Sequence, residues 1–277
     1  FDTVYFGGGT PSILEPQVLT GILQAVRDHF AIDPAAEITV ECNPSKDLTG
    51  DMEQYAAAGI NRVSIGMQSA VDRERFALGR RAGSGEVART IAAAKAAGIT
   101  NISLDVMLGT PKQTPDSLEE TFAFIARMQV THISAYLLKI EPGTPFARQH
   151  IERDCPDEER SAELYLHTVE QMSRHGFLQY EVSNFARPGR HNLKYWLLEP
   201  YLGLGPSAHS LWNGRRFYFD RDWIWQDEGP GGDREEQILL GLRLNRGIPE
   251  DWLTHDPAPY IAGGFMHRAN GRISLTP

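Results

Sequence analysis

Three consecutive glycines, Gly7 to Gly9, follow a β-branched and aromatic run in the segment VYFGGGTPS. Glycine adopts positive φ at no steric cost and lets another group approach the backbone closely. At the end of a predicted strand, the glycine run is therefore compatible with a backbone cradle for a ligand. A tight turn explains this segment alone equally well, so the surrounding residues must decide.

Three more polar residues lie at or near the ends of predicted strands. Glu41 ends EITVE, and strand alternation places it on the opposite face from Cys42. Its carboxylate could accept hydrogen bonds from ribose hydroxyls or an ammonium group, or pair with an arginine. Gln68 could contact an adenosine or a carboxylate, or cap a loop. Asp105 is the strongest candidate, because a charge inside the apolar strand NISLDVMLG is costly unless it is paired or used.

Two further segments carry residues suited to anionic or iron-containing ligands. Arg80, in FALGRRAGSG, could bind a carboxylate through two parallel hydrogen bonds, or lie in a solvated turn after a helix. His191 lies in RPGRHNLKYW among basic and aromatic residues. A histidine that ligates iron, cations that meet propionates and flat rings that cover a macrocycle would together suit heme. A structural role for His191 is the alternative.

Composition narrows the class of protein. Lys+Arg 27 against Asp+Glu 36 gives a net charge of −9, which argues against nucleic acid as a partner and against broad attraction to anionic membranes. No apolar run reaches the length of a membrane span, although peripheral membrane contact stays open. Cys42 and Cys155 alone provide neither a disulfide framework nor a metal cluster, so we expect a reducing, cytoplasmic location.

Alternating strand and helix patterns predict an α/β fold with parallel strands joined by helical crossovers. Gly59 and Gly98 occupy helix C-cap positions just before strands. Periodicity alone does not separate a barrel from a doubly wound sheet. The predicted strands are TVYF, EITVE, INRVSIG, ITNISLDVML and HISAYLL, with a later strand in FLQYEVS.

The character of the chain changes near residue 185, where Pro, Gly, Trp and Tyr become frequent. We predict a core over residues 1–184, a Gly- and aromatic-rich extension over 185–227, and a small, mainly helical, winged-helix-like domain over 228–277. Within the last part, QDEGPGGDREE is predicted to be a loop, and GRISLTP a short strand.

The motifs, taken in order, resemble those of radical S-adenosylmethionine (SAM) proteins related to oxygen-independent coproporphyrinogen III oxidase. The resemblance covers nearly the whole chain, and HNLKYW is similar to the HNxxYW signature of the heme chaperone (HemW-like) branch. The motifs are FGGGTPS, VECNP, SIGMQS, LDVMLGTPKQT, IEPGTPF, YEVSNFARPG, RHNLKYW and YLGLGPSAHS.

This resemblance implies an incomplete (β/α)6 barrel of the partial TIM type that lacks its first strand. It assigns the glycine run to the methionyl amino group of SAM, the rest of the SAM pocket to four polar residues, and heme ligation to one histidine. The implied residues are Gly8, Gly9 and Thr10 for the amino group, Glu41, Gln68, Arg80 and Asp105 for the rest of the pocket, and His191 for heme.

The resemblance also implies a [4Fe-4S] cluster held by a CxxxCxxC loop, which this sequence does not contain. Because the chain opens at Phe1 inside a strand pattern, we expect it to be a fragment whose cluster cysteines lie upstream of Phe1, with no metal ligands of its own. The cluster supplies the electron that cleaves SAM to a 5′-deoxyadenosyl radical, so the fragment is expected to be inactive in radical chemistry.

Three functions remain open at this point. The first is binding of heme and its delivery to acceptor hemoproteins, which the motif RHNLKYW favours. The second is an enzyme that converts coproporphyrinogen III to protoporphyrinogen IX by oxidative decarboxylation. The third is a cluster-free protein that keeps only the fold.

Overall fold

The computed structural model describes residues 1–44 and 47–277, which divide into two compact units. The first unit comprises residues 1–179 and 183–188, and the second comprises residues 180–182 and 189–277. The predicted boundaries after residues 184 and 227 stay predictions.

The first unit alternates strands and helices along most of its length. Its sheet contains β1 (Thr3–Phe6), β2 (Glu37–Cys42), β3 (Arg62–Gln68), β4 (Asn101–Leu108), β5 (His132–Leu137) and β7 (Asn184–Ala186). A further short strand, β6 (Gln179–Glu181), has its first residue in the first unit and its other two in the second. The connecting helices are α1 (Pro16–His29), α2 (Thr49–Ala57), α3 (Asp72–Ala77), α4 (Ser84–Ala96), α5 (Pro115–Met128), α6 (Pro145–Gln149) and α7 (Glu158–Arg174).

Strands β1 to β5 lie side by side in chain order, and each is parallel to the next. A doubly wound sheet reverses its strand order at a switch point, whereas a barrel winds in one direction. The observed order therefore supports the predicted barrel-type fold. β7, a strand that the sequence analysis did not predict, runs antiparallel to β5.

The strands of the first unit have one apolar and one polar face. Val40, Ile65 and Leu104 are fully buried and belong to the core that the helices cover. Gly59 and Gly98 have φ of +89° and +88° and end α2 and α4, which confirms the predicted C-cap turns. The opposite face of the same strands carries the polar residues described below.

The second unit is built from short elements. Its helices are α8 (Arg190–Trp196), α9 (Arg234–Gly241) and α10 (Ala258–Ala262). One three-stranded sheet has the order β10-β9-β8, and a second has the order β11-β13-β12. These strands are β8 (Ser210–Trp212), β9 (Arg215–Phe219), β10 (Trp225–Pro230), β11 (Ile248–Pro249), β12 (Met266–Ala269) and β13 (Arg272–Leu275).

The C-terminal part differs in one place from the sequence prediction. QDEGP, predicted to be part of a loop, forms most of β10, whereas the strand predicted in GRISLTP is confirmed as β13. Acidic and glycine residues are uncommon in strands. Here a bulge between Asp227 and Gly229 accommodates the glycine, and Asp227 forms an ion pair with Arg215 of β9. Within the described residues, no helix combines the length and hydrophobicity that crossing a membrane requires.

Candidate functional sites

The glycine run forms an open backbone ledge after β1. Gly8 and Gly9 have φ of +80° and +57°, and no atom lies within 4 Å of the Cβ that either would gain. Gly7 is different, because its Cβ would lie 2.7 Å from the Tyr5 ring and 3.2 Å from Glu41 Oε1. Glycine is therefore required at Gly7 for close packing, and at the next two positions the backbone is exposed to an incoming group.

Glu41 lies beside this ledge. The Tyr5 hydroxyl donates a hydrogen bond of 2.8 Å to Glu41 Oε1. Burial, followed by the negative charge of Glu41, raises the pKa of the Tyr5 phenol, so it remains a donor. Cys42 points the other way into the apolar core, and burial raises the pKa of its thiol. The predicted separation of Glu41 and Cys42 onto opposite faces is confirmed.

Asp105 lies on the same polar face, two strands from Glu41. Ser64 Oγ of β3 donates a hydrogen bond of 3.0 Å to Asp105 Oδ1, and Ser134 of β5 donates a second. Burial raises the pKa of Asp105 to about 6, while the two serines and the positive charge of Arg62 lower it. The Asp105 carboxyl therefore accepts hydrogen bonds from both neighbouring strands, and its pKa of about 6 lies close to neutral pH.

Gln68 reaches this face through a distortion of β3. Its backbone has φ of +68°, and the register with β4 shifts between Gly66 and Gln68. Its side-chain Nε2 would lie 3.1 Å from a Cβ on Gly66, which is in register with Asp105. The missing side chain at Gly66 therefore leaves room for the Gln68 amide next to Asp105. Glu41, Gln68 and Asp105 occupy one polar face of three adjacent strands.

Thr10 and Arg80 complete the predicted set in different ways. The Thr10 carbonyl accepts a hydrogen bond from Ile13 N at 3.0 Å, which turns the chain directly after the ledge. Arg80 is partly exposed in the loop after α3, where its backbone N donates to Arg75 O at 2.8 Å. Among the described residues, no side-chain contact joins Arg80 to Glu41, Gln68 or Asp105.

Sequence reasoning missed the residues that support this face. Tyr5, Arg62, Ser64 and Ser134 carry no motif of their own. Each lies an even number of residues from another polar residue of the same strand or pairs in register with one, as Ser64 does with Glu41. Extending strand alternation from Glu41 and Asp105 to their neighbouring strands would have been the available signal.

In the second unit, His191 lies on α8 one turn before Tyr195. His191 Nε2 and the Tyr195 hydroxyl are hydrogen-bonded at 2.7 Å, and the rings meet edge to face at 5.1 Å. Tyr195 in turn meets the ring of Tyr201 edge to face at 4.6 Å. The Tyr201 hydroxyl accepts a hydrogen bond of 3.0 Å from Arg216 Nη1, and Arg216 forms an ion pair with Glu236. A continuous chain of contacts therefore runs from the His191 side chain through Tyr195, Tyr201 and Arg216 to Glu236.

A second set of contacts lies beside the first, at the last residue of α8. The guanidinium of Arg243 lies over the Trp196 ring, with Cζ 4.1 Å from its centre. Arg243 Nη2 also lies 3.5 Å from Oε2 of Glu181, a carboxylate with no exposed surface. The backbones pair as well, because Val182 N donates to Arg243 O at 3.1 Å. Glu181 of YEVSNF and Trp196 of RHNLKYW are therefore joined through Arg243.

A cavity of about 350 Å³ lies within the second unit. Leucine, proline and tryptophan side chains provide its apolar surface, and three glycines expose backbone. Its lining residues are Leu197, Leu198, Pro200, Leu211, Asn213, Gly214, Gly231, Gly232, Gln237 and Trp252. It begins at the residue that follows α8, and its surface is divided about evenly between polar and apolar atoms.

Comparison with known proteins places the chain in a family. A model of the radical SAM superfamily matches residues 1–125. The heme chaperone HemW of Mycobacterium tuberculosis is 36% identical over 267 residues, which cover 89% of this chain and 68% of that protein. This chain belongs to the HemW family of radical SAM proteins. The HemW of Bacillus subtilis is 34% identical over 313 residues, covering 99% of this chain and 81% of that protein.

HemW-family membership agrees with the fold. The solved coproporphyrinogen III oxidase HemN of Escherichia coli, a radical SAM enzyme, superposes with a TM-score of 0.83 at 20% sequence identity. The match covers 99% of this chain and 74% of that structure, and it shows that the two share the fold. The chain spans about two thirds of the length of the Mycobacterium relative.

The radical SAM superfamily implies two groups, SAM and a [4Fe-4S] cluster. The open ledge at Gly8 and Gly9, with the Glu41 carboxylate beside it, fits the amino group of SAM. The cluster does not fit the described part of the chain, where no three His, Cys, Asp or Glu residues are grouped to hold a metal ion. Cys42 lies in the core, and the Cys155 thiol donates to Ile151 O within its own turn.

Proposed function

We propose that this chain binds heme through His191 and passes it to acceptor hemoproteins. The observation that carries this proposal is the arrangement of α8, a short helix that presents an imidazole and whose C-terminal end is held by contacts from elsewhere in the second unit. An isolated helix of seven residues is marginal in water, so tertiary contacts must define its position. The Tyr195–Tyr201 contact and the Arg243–Trp196 contact supply that definition.

The chemistry around α8 suits heme. Imidazole is a common axial ligand of heme iron, and aromatic side chains lie nearby on the same helix. The cavity that begins at Leu197 has both polar and apolar surface and could accept one edge of a macrocycle. Lys194 is engaged by Glu199 at 2.6 Å, so propionate binding by this lysine would require exchange of that ion pair.

Hemin titration tests this proposal. We expect the chain to give a Soret band with saturable binding, and His191→Ala to weaken hemin affinity at least about tenfold, because loss of the axial ligand removes a direct bond to iron. His267→Ala, at an exposed position of β12 in the same unit, is the matched control and should bind like the unaltered chain. Equal affinity in the His191 and His267 variants would contradict the proposal.

We further propose that the polar face of the first unit binds SAM. Backbone groups of Gly8, Gly9 and Thr10 would contact the methionyl amino group, and the Glu41 carboxylate would offset its charge. Gln68 and Asp105 would hold the adenosyl portion through their amide and carboxyl groups. Arg80, which the family resemblance places in the SAM pocket, would bind the SAM carboxylate through its guanidinium.

The role of Glu41 is testable by calorimetric titration with SAM. We expect Glu41→Gln to lower the affinity about tenfold or more, because it removes a charged acceptor beside the ledge while keeping the side-chain shape. Glu53→Gln on the exposed surface of α2 removes the same charge and serves as the control. Unchanged SAM affinity in the Glu41 variant would remove this residue from the site.

The proposed partners are heme and the proteins that receive it. The oxidase alternative rests on likeness to an enzyme 20% identical in sequence, which supports a common fold rather than a common substrate. Both cysteines are free thiols, which suits the reducing cytoplasm, and we infer that location for the chain.

A further inference from the structure

Nε2 of His191, the imidazole nitrogen best placed to ligate heme iron, already has a hydrogen-bond partner in the structure. Nε2 is the ring nitrogen farther from the backbone, so it offers more room for a flat ligand than Nδ1 does. In the structure this nitrogen is hydrogen-bonded to the Tyr195 hydroxyl at 2.7 Å. Whether Nε2 accepts the phenolic proton or donates its own, the contact occupies the position that iron would take.

Tyr195 is held so that its hydroxyl stays aimed at His191. The two residues are four positions apart on α8 and therefore share a helix face. The Tyr195 ring is fixed by edge-to-face contact with Tyr201, whose own hydroxyl accepts from Arg216.

We propose that Tyr195 is a release latch, whose hydroxyl competes with heme iron for Nε2 of His191. This inference rests on the proposed function, because it concerns the same imidazole. Loading exchanges the hydrogen bond for an iron–nitrogen bond, and unloading reverses the exchange. Where Nε2 accepts the phenolic proton, its lone pair passes to iron directly; where Nε2 carries the ring proton, that proton leaves to solvent as iron binds and returns on release. The phenolic proton stays on its oxygen, and no electron is transferred.

A protein that delivers heme must both bind it and release it. In this proposal, the Tyr195 hydroxyl provides a hydrogen-bond partner for Nε2 of His191 when iron leaves. A net hydrogen bond of ordinary strength corresponds to a change of about two- to tenfold in affinity. The latch would therefore moderate heme affinity without abolishing it.

Tyr195→Phe isolates the hydroxyl, since it keeps the ring against Tyr201. Tyr218→Phe is a matched control, because the Tyr218 ring also contacts a histidine, His209, at 4.6 Å in the same unit. His209 Nδ1 is instead bound to Glu228 Oε2 at 2.8 Å. Tyr201→Phe provides a second test, because it removes the bond from Arg216 but retains the Tyr195 hydroxyl.

The experiment measures hemin affinity by titration and hemin release by capture with excess apomyoglobin. We expect Tyr195→Phe to bind hemin about two- to tenfold tighter and to release it more slowly, Tyr201→Phe to change in the same direction by less, and Tyr218→Phe to match the unaltered chain. Without hemin, histidine-selective ¹⁵N NMR should show a shift at Nε2 of His191 in Tyr195→Phe but not in Tyr218→Phe.

Two results would overturn the latch. Unchanged affinity in Tyr195→Phe would mean that the hydroxyl does not compete. Weaker ferric heme binding in that variant would mean that the phenol supports or ligates iron instead. If His191→Ala keeps full hemin affinity, the proposed function itself fails, whereas loss in His191→Ala without a gain in Tyr195→Phe removes the latch alone.

Discussion

Asp105 is a partly buried acidic residue whose ionisation is sensitive to pH. Desolvation raises the pKa of its carboxyl to about 6, against hydrogen bonds from Ser64 and Ser134 and the positive charge of Arg62 that lower it. Ionising the Asp105 carboxyl in the folded protein therefore costs more free energy than ionising it in the unfolded chain. A cationic ligand on the polar face would favour the ionised carboxyl, which connects this residue to the proposed SAM site.

This balance predicts how stability depends on pH. A carboxyl whose native pKa is raised from 3.8 to about 6 adds stability at low pH, and that stability is lost as pH rises through about 6. We expect the unfolding free energy of the unaltered chain, relative to Asp105→Asn, to fall by no more than about 3 kcal/mol between about pH 4 and pH 7. Urea unfolding of both proteins across this range measures the difference, and a constant difference would contradict the raised pKa.

Helix α8 depends on contacts from elsewhere in the second unit rather than on its own sequence. Arg243 is central, since its guanidinium covers the Trp196 ring and faces the buried carboxylate of Glu181. A buried charge that loses its opposite charge keeps its desolvation cost. The segment around Arg243 and the YEVSNF motif therefore position the helix that carries His191.

We expect Arg243→Gln to lower the unfolding free energy by about 1–3 kcal/mol and to speed amide hydrogen exchange over residues 190–197. Arg234→Gln removes a similar contact, in which Arg234 Cζ lies 4.3 Å from the centre of the Trp252 ring, and should cost less than about 1 kcal/mol. Adding Glu181→Gln to Arg243→Gln should recover part of the loss. Equal effects of the two single arginine variants would count against the Glu181 contribution.

At the scale of the whole molecule, most strands of the first unit could be predicted from the sequence because strand patterns and helix-ending glycines indicated the same boundaries. Five apolar β-rich runs, separated by helices that end at residues such as Gly59 and Gly98, predicted β1 to β5. Alternation placed Glu41 and Cys42 on opposite faces, as observed. The placement of Glu41 and Asp105 on one face followed from strand alternation and parallel register. Gln68 reaches that face through a register shift in β3 that alternation does not predict.

Other features depend on contacts that local sequence does not encode. β10 was missed because its acidic and glycine residues form a strand only through pairing with Arg215 and a bulge. Arg243 carries no motif, and its role arises because Glu181 and Trp196, far apart in the chain, meet at its side chain. The Tyr195–His191 hydrogen bond follows only once α8 is known to be helical.

The most direct measurement of the central claim is pulsed electron paramagnetic resonance of the chain loaded with ferric heme, using protein labelled with ¹⁵N at histidine. Ligation by His191 predicts a strong hyperfine coupling to one labelled imidazole nitrogen, which persists in His267→Ala and disappears in His191→Ala. A coupling that survives in His191→Ala, or no histidine coupling in the unaltered chain, would contradict heme binding through α8.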